Sequence, residues 1–480
     1  MNTKLLKQKI LDLAIRGKLT QQLKSDGNTA DLLKEISSAC HPERSAKGAK
    51  SKDLKQIIPL DKNEAPFEVP ANWEWVRLGD VGVYKKGPFG SALTKSMFVP
   101  KGPNTIKVYE QKNAIRKNES IGDYYITREY FDSAMKGFEV FPGDILVSCA
   151  GTIGETFILP KGCEQGIINQ ALMKMKIFSF VDVDYFLYYF DFVLKAQSEK
   201  EGKGTAIKNI PPFAVFKEFP FPLPPLAEQQ RIVAKIEEAF AEIDAIEKNK
   251  ELLKTHIKQT RQKILDLAIH GKLVPQNKSD EPASVLLERI TRDNPHYEKL
   301  TDIPFEIPES WEWIKLMNVC EDFIVPQRDK PTEFTGNIPW CRIEDIEGKY
   351  LKGSRSHQLV TKELADKMNM HLCPKGTVIS ACSASIGNQA ITTVDCYTNQ
   401  TFIGIVCNKT LLFNEYLYYF LESQSKKLKE MGKGTTIGYI SRKKYENYAF
   451  PLPPLVEQKR IVDKIEEIFK SLDEISLHLV

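Results

Sequence analysis

FPLPPLAEQQRIVAKIEEAF occupies residues 221 to 240, and FPLPPLVEQKRIVDKIEEIF occupies residues 450 to 469. A match of that length inside one chain marks a duplication, and four further blocks extend it. QKILDLAIRGKL at 8 to 19 returns as QKILDLAIHGKL at 262 to 273, and PFEVPANWEWVRL at 66 to 78 returns as PFEIPESWEWIKL at 304 to 316. VDYFLYYF at 183 to 190 becomes FNEYLYYF at 413 to 420, and GKGTAI at 202 to 207 becomes GKGTTI at 432 to 437. Between these blocks, at 79 to 180 and 317 to 410, the halves diverge almost completely. A duplicated scaffold therefore carries two different surfaces.

The 221 to 240 block opens a long helix. Pro224 and Pro225 set up its start, Glu228 in the first turn favours the helix dipole, and no proline or glycine follows until Gly271. The span from 226 to 269 is 44 residues, about 65 Å at 1.5 Å per residue. Positions alternating by three and four within it are Ile232, Ile236, Ala239, Ile243, Ile246, Lys250, Leu253, Ile257, Thr260, Ile264 and Leu267. Such a heptad seam requires a partner helix.

Carrying the seam through the repeat finds that partner. The equivalent positions are Ile461, Ile465, Ile468, Leu472, Ile475 and Leu479 near the C-terminus, and Leu6, Ile10 and Leu13 near the N-terminus. The central helix is thus represented a second time but cut in two, its first half closing the chain and its second half opening it. The pattern predicts an antiparallel intramolecular coiled coil with a pseudo-twofold, circular organisation. The fold class is α+β, with two mixed α/β domains separated by that coil.

The expected boundaries are an N-terminal helix at 1 to 20, a linker at 21 to 65, the first domain at 66 to 220, the central helix at 221 to 274, a linker at 275 to 303, the second domain at 304 to 449 and the C-terminal helix at 450 to 480. The largest length difference between the halves lies before Pro66, where ISSACHPERSAKGAKSKDLKQ predicts a disordered insertion over 37 to 57. Inside each domain, Trp73 and Trp75, like Trp311 and Trp313, alternate as on a strand. The DYFLYYF and EYLYYF runs predict amphipathic helices, and ILVS after Pro142-Gly143-Asp144, like VISA after Lys375-Gly376-Thr377, predicts a buried strand.

Composition excludes more than it assigns. The chain has 67 basic against 63 acidic residues, a net charge of +4, so no strong basic field dominates it and nucleic-acid binding must rest on architecture and local clusters. Nine cysteines without a Cys-x-x-Cys pair, and seven histidines without ligand spacing, predict neither disulfides nor a metal site, and fit a reducing cytoplasm. No run of eighteen apolar residues is present.

Motifs that would make the chain an enzyme fail on inspection. GKGT at 202 and 432 lacks the glycine a phosphate loop needs five residues earlier, where Gln197 and Lys427 stand, so a helix C-cap is the better reading of Gly202 and Gly432. NIPPF at 209 to 213 is similar to the Asn-Pro-Pro-aromatic loop of amino-methyltransferases, but Ile210 interrupts it and the second half lacks it. No Asp/Glu-Lys constellation recurs in both halves. Catalytic residues and cofactors are expected to be absent from this chain.

A repeated PLPPLxEQxxIVxKIEE opening a long helix, at 222 to 238 and 451 to 467, with ILDLAIxGKL closing it, resembles the specificity subunits of type I restriction-modification systems. The PxxWEW segments, the GDILVS and GTVIS strands and GKGTxI extend the resemblance over nearly the whole chain. It implies two target-recognition domains, each reading half of a bipartite sequence in double-stranded DNA, and a coiled-coil spacer that docks two methyltransferase subunits joined by restriction (motor-nuclease) subunits. S-adenosylmethionine, ATP and Mg would then belong to those partners. The insertion near 37 to 57, and Lys250 and Thr260 in the seam, depart from the pattern.

Arg, Lys, Gln and Asn pair with base edges, and Lys also serves phosphates. In the divergent segment of the first domain the DNA-binding candidates are Lys85, Lys86, Ser91, Lys95, Lys107, Gln111, Asn113 and Arg116; in the second they are Gln327, Arg328, Lys330, Arg342, Arg355 and His357. Two other readings stay open, a related system whose partner fuses methylation and cleavage, and a coiled-coil adaptor that binds proteins only.

Overall fold

Leu226–Ile269 form one continuous helix of 44 residues, the span that the proline start and Gly271 delimit. In the computed structural model, residues 2–39, 57–61, 63–149, 152–200, 213–291, 300, 302–326, 329–433 and 438–479 are described. The chain divides into two compact units, Met1–Lys248 and Asn249–Val480, so the central helix contributes its first half to one and its second half to the other.

Each unit holds the same pair of helices against the same kind of domain. In the first, the N-terminal helix Thr3–Ile15 meets the early central helix: Lys7 pairs with Asp244 and stands 5.3 Å from the Phe240 ring centroid. In the second, the late central helix meets the C-terminal helix Leu455–Leu477. There Arg261 pairs with Asp473 and lies 4.4 Å from the Phe469 ring. These are equivalent residues in the repeat. A cation, an aromatic ring and a carboxylate fasten helix to helix in both places.

ILDLAIxGKL is explained by how those helices stop. After Ile15, Gly17 takes φ 64° and its N–H bonds Ala14 O at 3.1 Å, while Lys18 N–H bonds Leu13 O at 2.8 Å. Gly271 repeats this at φ 66°, with Ala268 O at 3.2 Å and Lys272 to Leu267 O at 2.9 Å. Both ends are Schellman motifs, which favour glycine in the left-handed conformation. A Cβ at either glycine would also sit 2.3 Å from a ring carbon of Pro70 or Pro308. Gly432 caps the helix Ser425–Met431 in the right-handed region, at φ −77°, and Gly202 lies outside the described residues.

The seam is buried in part. Ile232, Ile236, Ile243 and Ile257 are buried on the central helix, and Ile461 and Ile465 on the C-terminal one. Ile246, Leu253 and Ile475 are 47%, 39% and 44% exposed, against their assignment to the seam. Toward the end of the central helix the buried residues are Leu265, Ala268 and Ile269, one position past Ile264 and Leu267. A helix of 3.6 residues per turn drifts from a 3.5-residue repeat, and here the drift carries the apolar stripe onto the domain core, against Trp311. In the first unit Leu11, Ala14 and Ile15 enter the core beside Trp73 in the same way.

The divergent segments share a topology that their sequences hide. In the first unit, strands Gly82–Lys86, Leu172–Ile177, Ile145–Ser148 and Thr156–Ile158 form one antiparallel sheet in that order. In the second, Cys320–Ile324, Phe402–Cys407, Val378–Ala381 and Gln389–Thr392 repeat the order. A smaller sheet in each unit pairs Thr105–Tyr109 with Gly166–Ile168, or Ile338–Cys341 with Tyr397–Thr398, in parallel. The WEW blocks form short strands, Glu74–Arg77 and Glu312–Lys315. They pair antiparallel with Pro220–Leu223 and Ala449–Leu452, which lead directly into the long helices.

Both stretches expected to be linkers carry a helix. Thr29–Ala39 buries Leu33, and Ala283–Thr291 buries Ala283, Leu286 and Leu287. Most of the 37 to 57 insertion lies outside the described residues.

Candidate nucleic-acid interface and its scaffold

The Glu-Gln pair of PLPPLxEQ is a buried polar clasp. Glu228 and Gln229 are both fully buried in the first turn of the central helix. A buried carboxylate must be hydrogen-bonded to be tolerated, and Glu228 accepts from Trp73 Nε1 at 2.9 Å, Asn72 Nδ2 at 3.1 Å and Gln22 Nε2 at 3.0 Å. Gln229 accepts from Asp182 N–H at 2.7 Å and donates to Pro224 O at 2.9 Å and Phe180 O at 3.3 Å. One helix start thereby ties together the tryptophan strand, the N-terminal segment and the entry to the aromatic helix Val183–Lys200.

The second unit repeats the clasp with one change. Gln458 accepts from Phe413 N–H at 2.8 Å and donates to Leu411 O at 2.9 Å and Pro453 O at 3.0 Å. Glu457 accepts from Gln276 at 2.5 Å, but Ser310 replaces Asn72 and donates to Gln276 instead. Trp311 Nε1 and Glu457 Oε2 lack a partner within hydrogen-bond geometry, and burial raises the Glu457 carboxyl above its usual range, Trp311 and Gln276 opposing. One turn on, Arg231 forms a two-bond fork with Asp26 at 2.7 and 2.6 Å, and Arg460 bonds Asp280 at 2.6 Å. The Arg231 hydrogen bond lowers the Asp26 carboxyl.

On this frame the candidate DNA-contacting residues divide by exposure. In the first domain Lys85, Lys86, Ser91, Lys95 and Arg116 are exposed. Lys85 stands 5.0 Å from the Phe138 ring and opposite Lys174 across the sheet. Lys107 and Asn113 turn inward. Lys107 is 1% exposed, donates to Ser120 O at 3.2 Å and lies 3.8 Å from Glu164; burial lowers its pKa, Glu164 opposing. Asn113 is fully buried, accepts from Glu110 N–H at 2.8 Å and donates to Asn118 O and Ile121 O. Both shape the loop from within, because each points into the domain, Lys107 from the middle of a strand and Asn113 from a short helix. Gln111 is half-buried and its Oε1 lacks a partner.

In the second domain the structure brings Arg342, Arg355 and His357 together. Buried Asp345 accepts the backbone N–H of both Arg342 and Arg355 at 2.7 Å, so one carboxylate pins the two arginines. Their guanidiniums meet Glu344 at 2.8 Å and Glu347 at 3.0 Å. His357 is exposed at φ 53°, in a turn bonded to Ser354. Lys330 is exposed beside Phe334, and Gln327 and Arg328 lie outside the described residues. Asp345 and Asn113 do equivalent work, each capping the turn after the strand of its smaller sheet.

Sequence reasoning passed over Phe89 and Lys174. Phe89 is 93% exposed, more than any other large apolar side chain among the described residues. Its signal was the Gly-Pro-Phe-Gly spelling of a turn that presents a ring. Lys174 is held inward against Glu139 O, and burial lowers its pKa. Among the described residues no cluster of His, Cys, Asp or Glu could hold a metal ion, and no helix is long and apolar enough to cross a membrane.

The model of a family described as the type I restriction modification DNA specificity domain matches residues 70–255 and 308–478. The chain is 24% identical to the type I restriction enzyme EcoAI specificity subunit of Escherichia coli, over 98% of this chain and 90% of that one. It is also 24% identical to the MjaVIII specificity subunit of Methanocaldococcus jannaschii, over 84% and 87%. Among solved structures it is similar to the HsdS subunit from Thermoanaerobacter tengcongensis, with a TM-score of 0.53 at 18% identity, covering 86% and 94%. At that identity the structural likeness is one of fold.

Proposed function

The chain belongs to the type I restriction-modification DNA specificity family, and from that premise we propose that it reads a bipartite target in duplex DNA, one half-site per domain, for a restriction-modification complex. The observation that carries this reading is the pairing of a repeated scaffold with two loop sets whose sequences diverge. Chemistry belongs to partners in this reading. Two methyltransferase subunits dock on the paired helices and motor-nuclease subunits join them, bringing S-adenosylmethionine, ATP and Mg.

The N-terminal and C-terminal helices act here as the two halves of a second central helix, giving an antiparallel coil with pseudo-twofold, circular organisation. The Lys7–Asp244 and Arg261–Asp473 fasteners, at equivalent positions, support it. The coil then sets the spacer between half-sites, which lie about 34 to 36 Å apart per DNA turn when read from one face.

Binding of the full chain to a random-sequence duplex library across a salt series tests the reading. A chain that contacts several phosphates loses affinity linearly in log–log form as salt rises, and successive rounds of selection enrich two conserved half-sites separated by a fixed gap. Salt-independent binding, or no enrichment, would leave a protein-only adaptor as the better account.

A further inference from the structure

The loop from Gly87 to Phe98 is built to hold one ring in solvent. Gly87 donates to Leu172 O at 2.9 Å, and a Cβ there would fall 1.8 Å from Asn169 O, so only glycine allows the approach. Beyond the ring, Gln170 Nε2 donates to Gly90 O at 3.2 Å and also to Leu93 O, and Tyr130 Oη donates to Ala92 O at 2.5 Å. Leu93 is buried in the domain core. Phe89 lies between these anchors, next to Pro88 and at the head of the Gly90–Ala92 turn.

Single exposed apolar residues are common and need no explanation. A phenyl ring 93% exposed on a segment pinned at both ends is a different case, because the frame holds the backbone that carries the ring without covering the ring. Residues 85 to 98, KKGPFGSALTKSMF, hold three lysines and no acid. That charge suits a polyanion and repels a basic protein surface. In the second domain the chain that follows the equivalent strand Cys320–Ile324 carries Gln327 and Arg328.

We propose that Phe89 is a specificity-determining residue of the first domain, its ring making an apolar contact with the C5-methyl group of a thymine in that domain's half-site. This rests on the reading of the chain as a DNA-recognition subunit. A phenyl ring offers no hydrogen-bond donor or acceptor, and the thymine methyl is the one apolar group on the major-groove edge of the bases. Lys85, Lys86 and Lys95 then hold the flanking phosphates, which position the loop without reading sequence.

The test uses the full chain and the duplex selected from the random library. Phe89→Ala should weaken that duplex about tenfold while leaving the salt slope unchanged, since a base contact and not a phosphate contact is lost. Replacing thymines by deoxyuridine one at a time should reveal one position in one half-site where the wild type loses as much and the variant loses nothing further. Phe89→Leu should keep part of the preference. Unchanged affinity of Phe89→Ala, or losses that add at every thymine, would overturn the proposal. Failure of the wild type to bind duplex in a salt-dependent way would instead overturn the reading beneath it. Thermal unfolding of Phe89→Ala is expected to match the wild type, because the ring touches little of its own chain.

Discussion

The divergent segments of the two domains present different chemistry to solvent. The first offers Lys85, Lys86, Lys95 and the Phe89 ring; the second offers Arg342 and Arg355, fixed through Asp345 and paired with Glu344 and Glu347. Beneath them the clasps at Gln229 and Gln458 make the same three hydrogen bonds to equivalent partners. The difference follows from burial. A buried amide that loses its partners costs about 1 to 3 kcal/mol for each group left unsatisfied, whereas exposed side chains away from such features change stability by about 0.5 kcal/mol or less. Duplicated copies therefore stay alike at these buried polar contacts and differ on the exposed loops.

The largest effects should come from the buried side of this contrast. Ile236→Ala, at 1% exposure, is expected to cost about 2 to 5 kcal/mol, while Ile246→Ala, on the same helix at 47% exposure, should stay within about 0.5 kcal/mol. Denaturant midpoints of the two variants measure the gap. Equal losses would mean that a partner covers Ile246 in solution, which would sharpen the coil proposal.

A smaller effect with a pH signature is expected at Asp26. Its folded-state carboxyl is held below the ordinary range by the Arg231 hydrogen bond, so its contribution is complete above the unfolded value of about 3.9 and fades as pH falls through the folded value. The stability lost in Asp26→Asn should be greatest at neutral pH and shrink as pH falls below about 4. A loss that grows on acidification would contradict the pairing.

The smallest expected change separates two lysines. Lys86→Ala should leave stability within about 0.5 kcal/mol and reduce the salt slope of DNA binding by about one. Lys107→Ala should do the reverse, destabilising the domain with no change in slope, because Lys107 lies inside the fold. A slope change at Lys107 would place that side chain on the DNA.

Legibility in the sequence followed the same division. The 44-residue helix, its glycine stop, the aromatic helices and the buried strands were readable because proline, glycine and apolar period act locally. The shared sheet order of the divergent segments was not, since strand pairing between residues such as Lys86 and Met173 is long-range and many sequences satisfy it. The helices Thr29–Ala39 and Ala283–Thr291 were hidden by neighbouring polar and proline-rich runs. Among the contact candidates, residue type alone could not separate Lys86 from Lys107 or Arg355 from Asn113. Which way a side chain points depends on the strand or turn that carries it, and that became visible only with the fold.

The central claim, two independent readers on one scaffold, is tested most directly by exchanging residues 79 to 180 for the matching segment of another family member. Bound duplexes would then be selected and sequenced. The account predicts that one half-site changes, while the other half-site and the spacer between them stay as they were. Simultaneous change of both half-sites, in a chimera that unfolds like the parent, would contradict it.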